Sequence, residues 1–345
     1  MRRYEHGGNI YGGESFSSDF SANTNPLGIP ESVQQAIIDH IPEYVRYPDP
    51  SCRALRSAIA ARYGLDASMV LCGNGASELI FALCAGLRPR RVVTLAPTFS
   101  EYERAVTLFG GEMYEHSLLE SQEFVLTESL LAELTPDVDM IFLCNPNNPT
   151  GRLAEPSLLC RMAEICFNNK TLLILDECFI DFTCGESMLP QLKKYPNLFI
   201  LQAFTKIYSM AGLRLGTLYS ADERLLLKIA EHMPTWSVSS VAQAAGIAAL
   251  DEQNWIEGTR LFVENERNYI TSALRSLGLT VYQSDANFLL IKSKKLLYVP
   301  LRARGVLVRS CANFTGLGEN FIRIGLKNHN ENMALLSAVS EVLNG

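Results

Sequence analysis

The chain has 345 residues, 48% hydrophobic and 19% charged, with a formal net charge of -7. That acidic balance excludes the clustered lysine and arginine surface that nucleic acid needs. No apolar run approaches the roughly 18 residues of a membrane span.

The length suits one large domain and a smaller one. The opening MRRYEHGGNIYGGES has basic residues with no apolar stretch behind them, so no signal peptide is expected. Nine cysteines lie mostly inside apolar runs such as FALCAGL and MIFLCNP, and no Cys-x-x-Cys pair occurs. They read as buried free thiols in a reducing cytoplasm, with no metal site expected.

Taken in chain order, 30–41 (PESVQQAIIDHI) is an amphipathic helix with Pro30 near its start. Residues 51–64 predict another, with Ser51 as cap and Gly64 as stop. Residues 69–87 go from strand through a glycine-rich turn to helix. Short apolar strands follow at 90–97, 139–144, 171–175 and 198–204. Continuous apolar runs of this kind suit parallel strands covered on both faces, and the stretches between them suit crossover helices. From about residue 230 helical patterns precede the short strands ANFLLIK, GVLVRS and NFIRIGL, a change of grammar that predicts a second, α+β domain. The expected division is an N-terminal arm with part of the small domain over 1–40, a large domain over 41–230 and a small domain over 231–345.

In an open α/β sheet, ligands bind at the carboxyl ends of the strands. Those ends deliver Gly75, Ala76 and Ser77 before a helix, then Phe99, then Asn148, then Asp176, then Thr205 and Lys206, with Arg214 eight residues beyond the lysine. Small residues at a helix N-terminus let amides approach an anion. Each feature also has a plain reading: a turn, a core aromatic, a capping acid, a solvated lysine. Together they fit a planar, phosphorylated pyridine aldehyde, which needs a lysine, a carboxylate for its ring nitrogen, a phosphate cup and a stacking face.

NPNNPTG (145–151), DECFIDF (176–182) and TKIYSMAGLRLG (205–216) resemble the signature segments of fold-type I pyridoxal-phosphate enzymes of the class I/II aminotransferase family. The resemblance runs over nearly the whole chain. It is nearest the branch that holds threonine-phosphate decarboxylases and histidinol-phosphate aminotransferases. It implies a mostly parallel sheet in the large domain and pyridoxal 5'-phosphate as cofactor. Lys206 would condense with its aldehyde, Asp176 would pair with its ring nitrogen, and Asn148 would bond its phenolic oxygen. Gly75, Ala76, Ser77, Thr205 and Arg214 would hold its phosphate, and Phe99 would stack on its ring. Tyr47 would reach the phosphate from the partner subunit of a homodimer, and Arg323 would clamp the substrate carboxylate. Phe179 departs from the pattern: aminotransferases of this branch usually carry a tyrosine there.

Transamination and decarboxylation share their first steps, and no spacing rule separates them. HGGNIYGG (6–13), DFSANTNPLGIP (19–30) and GVLVRSCANFTGLGENFIRIGL (305–326) resemble the decarboxylases. In that reading His6, Asn25 and Arg309 bind the substrate's phosphate. The implied activity is decarboxylation of L-threonine O-3-phosphate for cobalamin synthesis. The alternative is a histidinol-phosphate or related aminotransferase using 2-oxoglutarate. A non-catalytic cofactor-binding regulator and a nicotinamide dehydrogenase are the remaining alternatives.

Overall fold

A computed structural model describes residues 6–11 and 15–345. Residues 12 and 13, part of the HGGNIYGG match, lie outside that set. In chain order the strands are β1 (Ser18–Asp19), β2 (Val70–Gly73), β3 (Arg91–Ala96), β4 (Glu112–Ser117), β5 (Met140–Cys144), β6 (Leu172–Asp176), β7 (Leu198–Ala203) and β8 (Gly216–Ser220). Then come β9 (Thr280–Val281), β10 (Phe288–Lys292), β11 (Val306–Leu307), β12 (Arg309–Ser310) and β13 (Phe321–Gly325).

The seven-stranded sheet has the order β2-β8-β7-β6-β5-β3-β4. β7, β6, β5, β3 and β4 pair in parallel, while β8 runs antiparallel between β7 and β2. Alternate residues of its central strands enter opposite cores. Ile141, Leu143, Leu173, Leu175 and Ile200 face one; Phe142, Ile174, Phe199 and Leu201 face the other. Burial on both faces is why these strands read as unbroken apolar runs.

Two strands of the seven-stranded sheet are not marked in the sequence. β4 (EMYEHS) is a mostly exposed edge strand and lacks an apolar run. β8 is buried throughout, but its GTLYS is too small and mixed to declare itself.

The expected helices form over Glu31–Asp39 and Arg53–Tyr63. The cap of the second differs from expectation. Ser51 does not cap it; Asp49 accepts the Arg53 and Ser51 backbone N–H groups instead, because Cys52 turns through the left-handed region at the helix start. Gly64 ends that helix with a positive φ, as its lack of a Cβ permits.

The C-terminal part carries a four-stranded sheet, β12-β13-β10-β9, covered by helices Gln253–Ser276 and His329–Asn344. The N-terminal segment joins it: β1 pairs with β11, and the Gly325 N–H donates to the Phe20 carbonyl. Among the described residues no helix is long and apolar enough to cross a membrane.

Candidate active site

A cavity of about 310 Å³ opens where the carboxyl ends of β5, β6 and β7 meet β12, β13 and the N-terminal segment. Ala76, Ser77, Phe99, Asn148, Asp176, Thr205, Lys206, Arg214, His6, Arg309 and Arg323 all line it. Five of its lining side chains are lysine or arginine and two are carboxylates. The excess of positive charge, walled by the sheet, suits an anionic ligand.

Asp176 ends β6 and is buried. Burial pushes its carboxyl pKa up, while hydrogen bonds pull it back down. Its Oδ1 accepts the Cys178 N–H at 3.0 Å and its Oδ2 accepts the Tyr102 hydroxyl at 2.5 Å.

Lys206 lies in a single helical turn, Phe204–Ile207, directly after β7. Its amine is pushed down to about 8, first by burial and then by the neighbouring charge of Arg323, with Arg214 adding to it. The turn is held from the N-terminal segment. The Asn25 N–H donates to the Lys206 carbonyl at 3.0 Å, and the Asn25 amide donates to the carbonyl of Ile207 at 2.7 Å.

The anion cup lies between β2 and helix Ala76–Leu87. Gly75 caps that helix with φ +80°, and a Cβ there would lie 2.4 Å from Arg214 Nη2. Gly216 gives the opposite wall: a Cβ on it would meet the Ala76 nitrogen at 2.4 Å. Arg214 itself is exposed, not dry as the apolar run around it suggests.

Arg309 and Arg323 stand directly opposite each other on antiparallel β12 and β13, and both are buried. Arg323 donates to Asn148 Oδ1 and to the Ser21 carbonyl, each at 2.6 Å. Arg309 donates to Asn313 Oδ1 at 2.7 Å and lies over Phe314. His6 meets Glu101 Oε1 at 2.7 Å, and Arg104 braces the same carboxylate at 3.1 Å. Gly7 packs so closely on Ser21 that a Cβ would overlap its carbonyl.

One expectation is corrected. Asn25 does not line the cavity. Its amide is spent on Ile207 and on Thr259 Oγ1 (2.8 Å), and its Oδ1 on the Leu27 N–H, so it braces the lysine turn. Asn23, two residues earlier, lines the cavity instead; it is buried, and neither its Oδ1 nor its Nδ2 has a hydrogen-bond partner among the described residues. Tyr47 lies outside the cavity of its own chain. It is 80% exposed and stacks on Trp236 at 4.6 Å.

Tyr102, Glu101 and Ser21 also serve the site, through Asp176, His6 and Arg323, and no motif in the sequence marks them. The spacing of Phe99 and Tyr102, three residues apart across a helix start, was the available signal for the first. Glu101 and Ser21 act through neighbours that only the fold supplies.

The residues fit pyridoxal 5'-phosphate. A lysine with a lowered pKa, a buried carboxylate and a cradle that no Cβ could enter meet at this cavity. The orphaned Asn23 amide and the partnerless Arg323 Nε remain for a second ligand.

The family model for aminotransferase class I and II matches residues 18–339. The threonine-phosphate decarboxylase of Salmonella typhimurium is 40% identical over 352 aligned positions, covering 99% of this chain and 97% of the relative. The histidinol-phosphate aminotransferase structure from Clostridium acetobutylicum superposes with a TM-score of 0.88 at 30% identity, covering 94% of this chain and 98% of that one. The L-threonine-O-3-phosphate decarboxylase structure from Porphyromonas gingivalis gives 0.82 at 25% identity, covering 94% and 99%. The chain belongs to the class I and II aminotransferase family.

Proposed function

We propose that the protein is a pyridoxal 5'-phosphate enzyme that decarboxylates L-threonine O-3-phosphate to (R)-1-amino-2-propanol O-phosphate and CO2, a step toward cobalamin. The observation that carries this reading is the buried cross-strand pair Arg309 and Arg323 in the cavity that also holds Lys206. Two like charges opposite each other on a sheet repel. A substrate with a carboxylate and a phosphate gives each an anion, and the relative from Salmonella typhimurium is named for such a substrate.

When bound, the cofactor supplies a conjugated ring that accepts the electron pair of the bond broken at Cα. The chain's side chains do the rest. Asp176 holds a proton on the ring nitrogen. Gly75, Ala76, Ser77, Thr205 and Arg214 would hold the cofactor's phosphate, Phe99 would stack on its ring, and Asn148 would bond its phenolic oxygen. Arg323 orients the substrate carboxylate, while Arg309, His6 and Asn23 take the substrate phosphate. With both anions held, rotation about the Cα–N bond is fixed, and that rotation selects the bond that breaks. Lys206 Nζ then places a proton on Cα after CO2 departs.

The division at 41–230 and 231–345, with 1–40 joined to the small domain, is kept as part of this proposal. So is a homodimer in which Tyr47 reaches the partner's cofactor. Ile38, Ile41, Val45 and Tyr47 all project from one exposed segment, which suits burial against a second copy. A reducing, cytoplasmic setting suits the nine unpaired cysteines.

The test is purified holoenzyme mixed separately with threonine phosphate and histidinol phosphate, with and without 2-oxoglutarate. The expected result is CO2 from threonine phosphate that ignores 2-oxoglutarate. Turnover of histidinol phosphate that requires 2-oxoglutarate overturns the reading in favour of an aminotransferase.

A further inference from the structure

Tyr102 is wholly buried at the start of helix Glu101–Leu108, one helical turn after Phe99. Its ring stacks flat on Phe142, with centroids 4.9 Å apart and planes 7° from parallel, and meets Phe99 edge-on at 5.6 Å. Those contacts fix where its hydroxyl points, and it points at Asp176 Oδ2, 2.5 Å away. Burial and the charge of Asp176 keep that hydroxyl protonated well above the ordinary range for tyrosine, so it donates to the carboxylate.

Asp176 needs such a donor. A carboxylate enclosed this fully is pushed toward its neutral form, and a neutral acid cannot hold a proton on a ring nitrogen. The Cys178 N–H stabilises one oxygen, at 3.0 Å. The other oxygen receives the tyrosine. With both oxygens engaged from the protein side, the carboxylate plane is set and its remaining lone pairs face the cavity.

We propose that Tyr102 is a positioning residue that keeps Asp176 ionised and fixes its plane for the ring nitrogen of the cofactor. The inference rests on the pyridoxal-phosphate reading above. Through the same ring, Tyr102 also ties the carboxylate to the stacking face of Phe99.

The experiment is Tyr102→Phe in the holoenzyme, which keeps the stack and deletes the donor. A hydrogen bond to a charged group predicts pyridoxal 5'-phosphate bound about tenfold more weakly or worse. The pH midpoint of the bound cofactor's absorbance should move upward, because a more basic Asp176 draws the proton off the ring nitrogen. The turnover number should fall about tenfold or more while KM for the substrate changes little. A merely structural tyrosine would instead lower the melting temperature and leave that midpoint in place.

Unchanged affinity and midpoint in a folded variant overturn the inference. Should the variant fail to fold, 3-fluorotyrosine at 102 tests the same bond in the other direction. This stronger donor of nearly the same shape should tighten cofactor binding, and unchanged binding contradicts the proposal. Wild-type protein that takes up no pyridoxal 5'-phosphate sinks the parent reading, and this one with it; uptake by wild type with no effect at 102 sinks this one alone.

Discussion

Lys206 Nζ feels burial and the positive charges of Arg323 and Arg214, and these hold its pKa near 8 against an ordinary 10.5. A neutral amine is therefore available close to physiological pH, as attack on an aldehyde requires. Capture of pyridoxal 5'-phosphate by cofactor-free protein should speed up with a midpoint near pH 8, followed by stopped-flow absorbance. The stability consequence has a definite sign. Between about 8 and 10.5 the unfolded chain binds more protons than the folded one, so stability rises with pH across that window. Lys206→Met should remove that rise in thermal melts of cofactor-free protein. With the cofactor bound, Lys206→Ala should cost about 10²–10⁴ in turnover, through loss of the proton carrier. Gly75→Ala should weaken cofactor binding, because relief of its 2.4 Å approach to Arg214 moves the phosphate-holding arginine, and φ +80° strains any Cβ. Isothermal titration with the cofactor reads that loss.

The short turn Phe204–Ile207 shows why some of the site was legible and some was not. Lys206 stood out because a cation ends an apolar strand, a local conflict that the sequence displays. Asn25 misled because its partners, the carbonyls of Ile207 and Lys206, lie about 180 residues away and are bonded only in the fold. Polar residues crowd the DFSANTNPLG segment, and their spacing alone does not say which faces the cavity; Asn23 does. Asn25→Ala should therefore leave KM nearly unchanged while lowering the turnover number and costing about 1–3 kcal/mol of stability, since it strands buried partners. Steady-state kinetics with chemical denaturation measure both.

Glu177, next to Asp176, is a second buried carboxylate. It accepts from Ser187 Oγ, from the Met188 N–H at 2.9 Å and from Gln202 Nε2 at 3.3 Å. Burial pushes it up to about 7. Between its ordinary 4.5 and 7 the folded state holds the extra proton, so this residue makes stability fall as pH rises through that window. Glu177→Gln should flatten that part of the melting-temperature profile.

At the scale of the molecule, the parallel core was readable because strands buried on both faces must be apolar throughout. The edge strand β4 and the antiparallel β8 were not, since one is mostly exposed and the other carries small and polar residues. The N-terminal segment pairs with β11 of the C-terminal part and braces both Lys206 and Arg323, so the two ends of the chain reach the cavity that the central sheet supports. Tyr47 lies outside that cavity, and its proposed role needs a second subunit. Sedimentation should show a dimer, and Tyr47→Phe should weaken cofactor binding without dissociating it; a monomer that turns over at full rate contradicts the shared site.

The central claim is that two buried arginines hold a doubly anionic substrate so that its carboxylate bond breaks. The measurement that tests it most directly is the stoichiometry of CO2 to threonine phosphate consumed by holoenzyme over many turnovers, with no 2-oxoglutarate present. The account predicts one CO2 for each substrate, with the cofactor spectrum of the resting enzyme restored when substrate runs out. Absence of CO2, with the cofactor converted to its amine form after a single turnover, would contradict it.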